Sequence, residues 1–132
     1  MAITIENLLK NRGIIEEDTG EKYVSIEIAR LKEKLGDGEV KLKSLEINKL
    51  NDIMRQTNNE YNMAVRVVYN SVIEPNLKDK ELQKAYGCKA NPFGIVEKIF
   101  IPLEVKAIAD KVAEISGLKD INEGALITEI KK

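Results

Sequence analysis

Hydrophobic and polar positions alternate through the stretch beginning at residue 23. Val24, Ile26 and Ile28 fall on one side of an extended backbone, Ser25, Glu27 and Ala29 on the other. Period two at this density of β-branched residues predicts a half-buried strand. The alternation resumes with Val40 and Leu42 against Lys41 and Lys43, and Gly36, Asp37 and Gly38 between the two runs have the chemistry of a tight turn. The pattern predicts a β-hairpin over residues 23–43.

From Ser44 the spacing lengthens to steps of three and four. Ser44 is placed to cap a helix carrying Ile47, Leu50, Ile53 and Met54, and Asn58 or Asn59 to cap a second with Tyr61, Val65, Val68 and Val72 on one stripe. The β-branched content of that second helix weakens it in isolation, so tertiary packing must hold it and a buried central position is expected. Upstream, Thr4 reads as the cap of a short helix bearing Ile5, Leu8 and Leu9 that stops at Gly13, with residues 14–22 as a loop.

The second half is heavily punctuated. Pro75 ends the central helix. Asn76 caps the next, with Asp79 in its first turn, Leu77, Leu82 and Tyr86 as its buried side and Gly87 as its stop. Asn91 caps a short helix whose first position is Pro92 and whose apolar face is Phe93, Val96, Ile99 and Phe100. Pro102 opens a long helix with Val105, Ile108, Val112 and Ile115 on one stripe, ended by Gly117. Beyond it two readings stand side by side: a last helix capped by Asp120 with Ile121, Ala125 and Ile130, or a mobile tail. The expected architecture is α+β, mainly α, with an N-terminal β-hairpin followed by a compact bundle of four or five helices. It forms one domain over residues 1–132, with residues 1–20 and 119–132 as ends open to flexibility. The expected core includes Val65, Val68, Leu82, Val96, Ile108, Val112 and Ile115.

Composition narrows the chemistry. The chain of 132 residues is 43% hydrophobic and 33% charged, too apolar for disorder and too charged for a membrane span, and suited to one core. The start lacks the basic and continuously apolar segments of a signal peptide, so a cytoplasmic location is expected. Lys and Arg number 21 against 22 Asp and Glu. Lys32, Lys34, Lys41 and Lys43 are interleaved with Glu27, Glu33, Glu39 and Glu46, the pattern of a solvated mixed face and not of a nucleic-acid footprint.

There is no histidine, and Cys88 is the single cysteine. The commonest general base and metal ligand are therefore missing, no internal disulfide is available, and Cys88 reads as a small buried hydrophobe. Gly36-Asp37-Gly38 is not followed by the lysine and hydroxyl of a phosphate loop. Glu97, Glu104 and Glu114 alternate with lysines on helix faces expected to be solvated. No catalytic, cofactor or metal site is expected, which leaves a binding or scaffolding role.

The stretches "LKDKELQKAYG" (77–87), "PFGIVEKIF" (92–100), "PLEV" (102–105) and "SGL" (116–118) resemble the XkdN-like tail assembly chaperones of tailed phages and phage-like elements of Gram-positive bacteria. The specific part of the resemblance is residues 72–118, and Leu103 departs from it where a glycine is expected. The resemblance implies a protein that acts while a phage tail is built and is absent from the mature virion. It implies the tape measure protein and the tail tube protein as partners; from the residues themselves no nucleotide hydrolysis, no nucleic acid and no membrane are expected, and a homo-oligomer stays open. The competing reading is a structural head–tail connector or tail completion protein. As protein-binding residues the spacing suggests Phe93, Phe100 and Leu103, near a corner where Pro102 turns the chain. The plain alternatives are that these three are core, or that a client binds the N-terminal helix through Leu8 and Leu9.

Overall fold

In a computed structural model of the chain, residues 2–118 and the backbone of residues 127–130 are described. The elements run α1 (Ile5–Lys10), α2 (Arg12–Thr19), β1 (Tyr23–Ile28), α3 (Ala29–Leu35), β2 (Glu39–Lys43), α4 (Ile47–Gln56), α5 (Glu60–Ser71), β3 (Val72–Glu74), α6 (Lys80–Ala85), α7 (Gly94–Ile99), α8 (Pro102–Ile115) and β4 (Ile127–Ile130). The strands form one antiparallel sheet in the order β3-β2-β1-β4.

This corrects the expected N-terminal hairpin followed by a helical bundle. The two alternating runs do pair antiparallel, with Val24 opposite Leu42 and Ile26 opposite Val40. They are not joined by a turn, however, because α3 lies between them. After Ile28 the alternation gives way to Ala-Arg-Leu-Lys-Glu-Lys-Leu, a run of good helix formers. Gly36 ends that helix in the left-handed conformation, φ 84°. Gly38 then passes so close to β1 that a side chain there would collide with the Ile28 carbonyl and the Lys32 backbone. The Gly38 carbonyl accepts from the Ile28 amide at 2.8 Å. Strands and helices thus alternate along the chain, with eight helices among the described residues.

The outer strands come from segments read otherwise in the sequence. Val72, expected on the stripe of α5, begins β3 and pairs with Leu42. Ile130, expected on a last helix, lies in β4, where Ile127–Ile130 pairs with Ile28–Ser25. Asp120, Ile121 and Ala125 fall outside the described residues.

Several helix ends follow the expected chemistry and others do not. The Thr4 hydroxyl accepts from the Asn7 amide at 3.2 Å, and Asn59 Oδ1 from the Asn62 amide at 2.8 Å. Asp79, not Asn76, caps α6, accepting from the Leu82 amide at 2.9 Å. Ser44 is not a cap. Its hydroxyl accepts from the Lys22 amide and its own amide donates to the Lys22 carbonyl, tying the entry of β1 to the exit of β2. The helix expected at Pro92 begins at Gly94, while Pro102 does open α8.

The core lies between the sheet and α8, with α5 packed along α8. Ile26, Ile28, Val40 and Leu42 meet Val105, Ile108 and Val112 there, and Val65, Val68 and Val96 are buried with them. Leu82 and Ile115 are only partly buried, and Tyr86 is exposed. Cys88 is buried, as its setting suggested.

Candidate protein-binding surface

The structure separates the three residues expected to make a contact surface. Phe100 is 1% exposed and belongs to the core. The seven-residue spacing from Phe93 does not put the two on one helix face, because α7 spans only Gly94–Ile99 and Phe100 is extended just beyond it. Phe93 is half-buried, edge-on to Tyr69 with ring centroids 4.8 Å apart, and the Arg66 guanidinium stands 4.3 Å over its ring. Leu103 alone is open, 63% exposed on the first turn of α8 beside the exposed Ile101.

The larger apolar surface is N-terminal. Residues 14–19, expected as a loop, form α2, and Gly13 lies inside it instead of stopping α1. At Asn11 the chain deviates for one residue, yet its amide still donates to the Asn7 carbonyl and its carbonyl accepts from the Ile15 amide. The two helices therefore make a nearly continuous arm. Ile5, Leu8, Arg12 and Ile15 recur along it at steps of three, four and three, a period that runs straight across Gly13 and was the available signal for it. Neither helix buries a residue. Ile5 is 77% exposed and Leu9 71%, with Ile3, Leu8, Ile14 and Ile15 exposed alongside them.

Little within the arm supports it. The pairs Glu6–Lys10 (3.6 Å) and Arg12–Glu16 (2.8 Å) are solvent-exposed i,i+4 contacts, worth a few tenths of a kcal/mol each. Helices of this length are marginal in water unless an apolar face is packed. An arm with its apolar residues in solvent is therefore a surface that gains by being covered.

Charge is arranged less simply than the sequence suggested. Glu104, expected on a solvated face, is 1% exposed. Both its oxygens accept from Arg30 at 2.8–3.2 Å, the Arg30 guanidinium also donates to the Ile99 carbonyl at 2.7 Å, and Glu104 Oε1 accepts from the Ile101 amide at 3.0 Å. This cluster pins the start of α8 to α3. Hydrogen bonding to Glu104 raises the pKa of Arg30 against the lowering effect of burial. Glu114 pairs with the buried Lys111 at 3.0 Å, and Glu97 accepts from the Tyr61 hydroxyl at 3.4 Å. Among the described residues no group of acidic and thiol side chains is placed to hold a metal ion, and no helix is long and apolar enough to cross a membrane.

The chain matches the model of the phage XkdN-like tail assembly chaperone proteins over residues 5–131. No curated protein is significantly similar to it. Its fold resembles the crystal structure of the protein yqbn, a structural genomics target, with a TM-score of 0.60 at 20% identity, covering 75% of this chain and 87% of that one.

Proposed function

The chain belongs to the phage XkdN-like tail assembly chaperone family, and we propose that it holds the tape measure protein soluble and brings tail tube subunits to it during tail morphogenesis. The observation that carries this reading is the arm, whose apolar stripe is exposed along its full length while the rest of the molecule has a closed core. A long helical client with apolar stripes of its own is the complementary shape, because helix-in-groove and helix-on-helix contacts use the same three- and four-residue spacing. The contact surface is then Ile5, Leu8, Leu9 and Ile15, with Leu103 and Ile101 as a separate corner. The setting is the host cytoplasm, and the protein is absent from the mature virion.

The chain has no phosphate-loop motif, so the cycle runs without nucleotide hydrolysis. Release comes by mass action, as polymerising tube subunits take the client away. Moderate affinity per copy, repeated along the client, suits such a hand-over.

Co-expression with the tape measure protein tests the reading. The wild type is expected to keep the partner in the soluble fraction. The double variant Leu8→Asp/Leu9→Asp is expected to lose that ability at unchanged thermal stability, since neither side chain is buried. Leu103→Asp, equally tolerable to the fold, reports on the corner. If the arm variant still solubilises the partner and Leu103→Asp does not, the client binds the corner instead. Detection of the protein in purified particles by mass spectrometry would favour a structural connector or completion protein.

A further inference from the structure

One face of α5 carries cations and aromatic rings in a line. Asn62, Arg66 and Tyr69 follow one another at steps of four and three, so they project on the same side of the helix. Tyr69 lies edge-on to Phe93, and each ring has a cation over it. The Arg66 guanidinium is 4.3 Å from the Phe93 centroid and Lys78 Nζ 5.5 Å from that of Tyr69. The order along the surface is therefore Arg66, Phe93, Tyr69, Lys78. Gln83, almost buried, donates from Nε2 to the Tyr69 hydroxyl at 3.2 Å and to the Leu77 carbonyl at 2.9 Å, which holds the Tyr69 ring in place.

The two cations share the lack of a counter-ion: among the described residues neither has a carboxylate within 4 Å. Arg66 engages only Nη1, which donates to Gln56 Oε1 at 3.1 Å, so Nε and Nη2 have no protein acceptor among those residues. Beside it the cleft where the end of α4 meets the starts of α5 and α7 is lined by the amide side chains of Asn58, Asn62 and Asn91. At the other end of the line Lys78 stands near Lys43 and Lys49. Burial first, and then repulsion from these two, holds its pKa below the ordinary lysine value. We propose that this face binds an extended acidic segment of a partner protein, one carboxylate on Arg66, a second beside Lys78, and the backbone next to the first met by the amides of the cleft.

The chemistry of the face selects this occupant. A guanidinium held by the Phe93 ring and Gln56 is set in advance for the two-pronged contact with a carboxylate. Side-chain amides offer both donors and acceptors, as a peptide backbone requires. Two separated cations ask for two separated negative charges, which acidic side chains along one segment supply and a single chain terminus does not. A nucleic acid is the poorer fit. Each ring already has a cation over one face, so neither is a free stacking platform. Glu97, exposed in the same cleft, also repels a continuous phosphate backbone more than a segment with spaced carboxylates. The attraction weakens with salt. No residue of the arm takes part, so the proposal stands apart from the tape measure reading.

Backbone amide chemical shifts of the intact protein, followed at low salt as a probe peptide is added, test the proposal. The probe has about twelve residues, Asp and Glu spaced by Ser and Gly, long enough at about 3.3 Å per residue to span both cations. It is blocked at both ends, and the control carries Asn and Gln in place of the acids. The wild type is expected to shift at residues 56–58, 62–69 and 91–94, with half-saturation below about 1 mM, and to bind the control about fivefold more weakly or worse. Arg66→Gln and Lys78→Gln are each expected to weaken binding of the acidic peptide by about threefold or more. Neither side chain is buried, and circular dichroism verifies that both variants are folded; should Arg66→Gln not fold, Lys78→Gln decides. No shift, shifts confined to other faces, equal binding of the control, or an unchanged affinity in the folded variants overturns the proposal. So does an oligonucleotide of the same charge that binds this face more tightly than the acidic peptide, which would make it a nucleic-acid site.

Discussion

Arg30→Ala is expected to destabilise the fold by about 3 kcal/mol, the low end of the cost of leaving a buried ion without its partner. The large effect comes from what remains behind. Arg30 itself reaches solvent, but Glu104 is 1% exposed and would keep only its bond from the Ile101 amide. The guanidinium's second contact, to the Ile99 carbonyl, disappears in the same step. Arg30→Lys should fall between, since an ammonium cannot reproduce the two-pronged contact. Arg55→Ala, which breaks the exposed pair with Asp52 at 3.7 Å, should cost less than about 1 kcal/mol. Because Glu104 raises the pKa of Arg30, the guanidinium's share of stability is fully present below the ordinary arginine pKa, and is lost only above it. Raising the pH through the neutral and mildly alkaline range should therefore leave the Arg30 contribution intact. Urea unfolding of the three variants decides the matter: a loss below about 1 kcal/mol for Arg30→Ala would reduce the cluster to an ordinary surface pair.

Ile108→Ala is expected to cost about 2–5 kcal/mol. Ile108 is fully buried in the core that α8 shares with α5 and the sheet. Because α8 packs on both α5 and the sheet, a cavity in that shared core closes only if packed elements move against one another. Fluorescence or circular dichroism during urea titration gives the number, and an unchanged m-value would show that only native packing was lost. A cost under about 1 kcal/mol would mean that the site collapses freely, contrary to its place in that shared core.

What the sequence makes legible is what one buried face imprints on it. Strands β1 and β2 were readable because Val24, Ile26, Ile28, Val40 and Leu42 all point to the same core, and α8 because Pro102 and Gly117 mark its ends. The segment between β1 and β2 was not readable as a helix. In α3 only Leu31 packs against the core, which leaves no period to detect, and Gly36-Asp37-Gly38 imitates a hairpin turn while serving as a helix stop and a close crossing. Strands β3 and β4 span three and four residues, too few for alternation to stand out from its surroundings.

The candidate surface was partly visible. Leu8 and Leu9 stood out as an alternative contact, but a single glycine hid the continuation to Ile15, because a helix-ending residue also occurs inside exposed helices that no packing constrains. Phe93, Phe100 and Leu103 looked alike as apolar residues around a corner. Only the extended backbone at Phe100 sends one of them inward. Glu104 was misread for a different reason. A carboxylate on a helix is solvated unless something far along the chain meets it, and its partner Arg30 lies 74 positions away.

The order of the sheet has a consequence for how this chain comes off the ribosome. β1 is among the first segments made, yet one of its two neighbours is β4, with Ser25 opposite Ile130. At a synthesis rate of about 5–20 residues per second, one edge of β1 stays open for several seconds while the rest of the chain is translated. An open edge is a template for pairing with another strand, and neighbouring nascent chains of the same protein present the same edge. The half-buried charged residues on the side of these strands away from the core, Glu27, Lys41 and Lys43, disfavour such pairing while it lasts. Contacts this distant in sequence also form slowly, so closure of the sheet, more than formation of any helix, should set the folding rate.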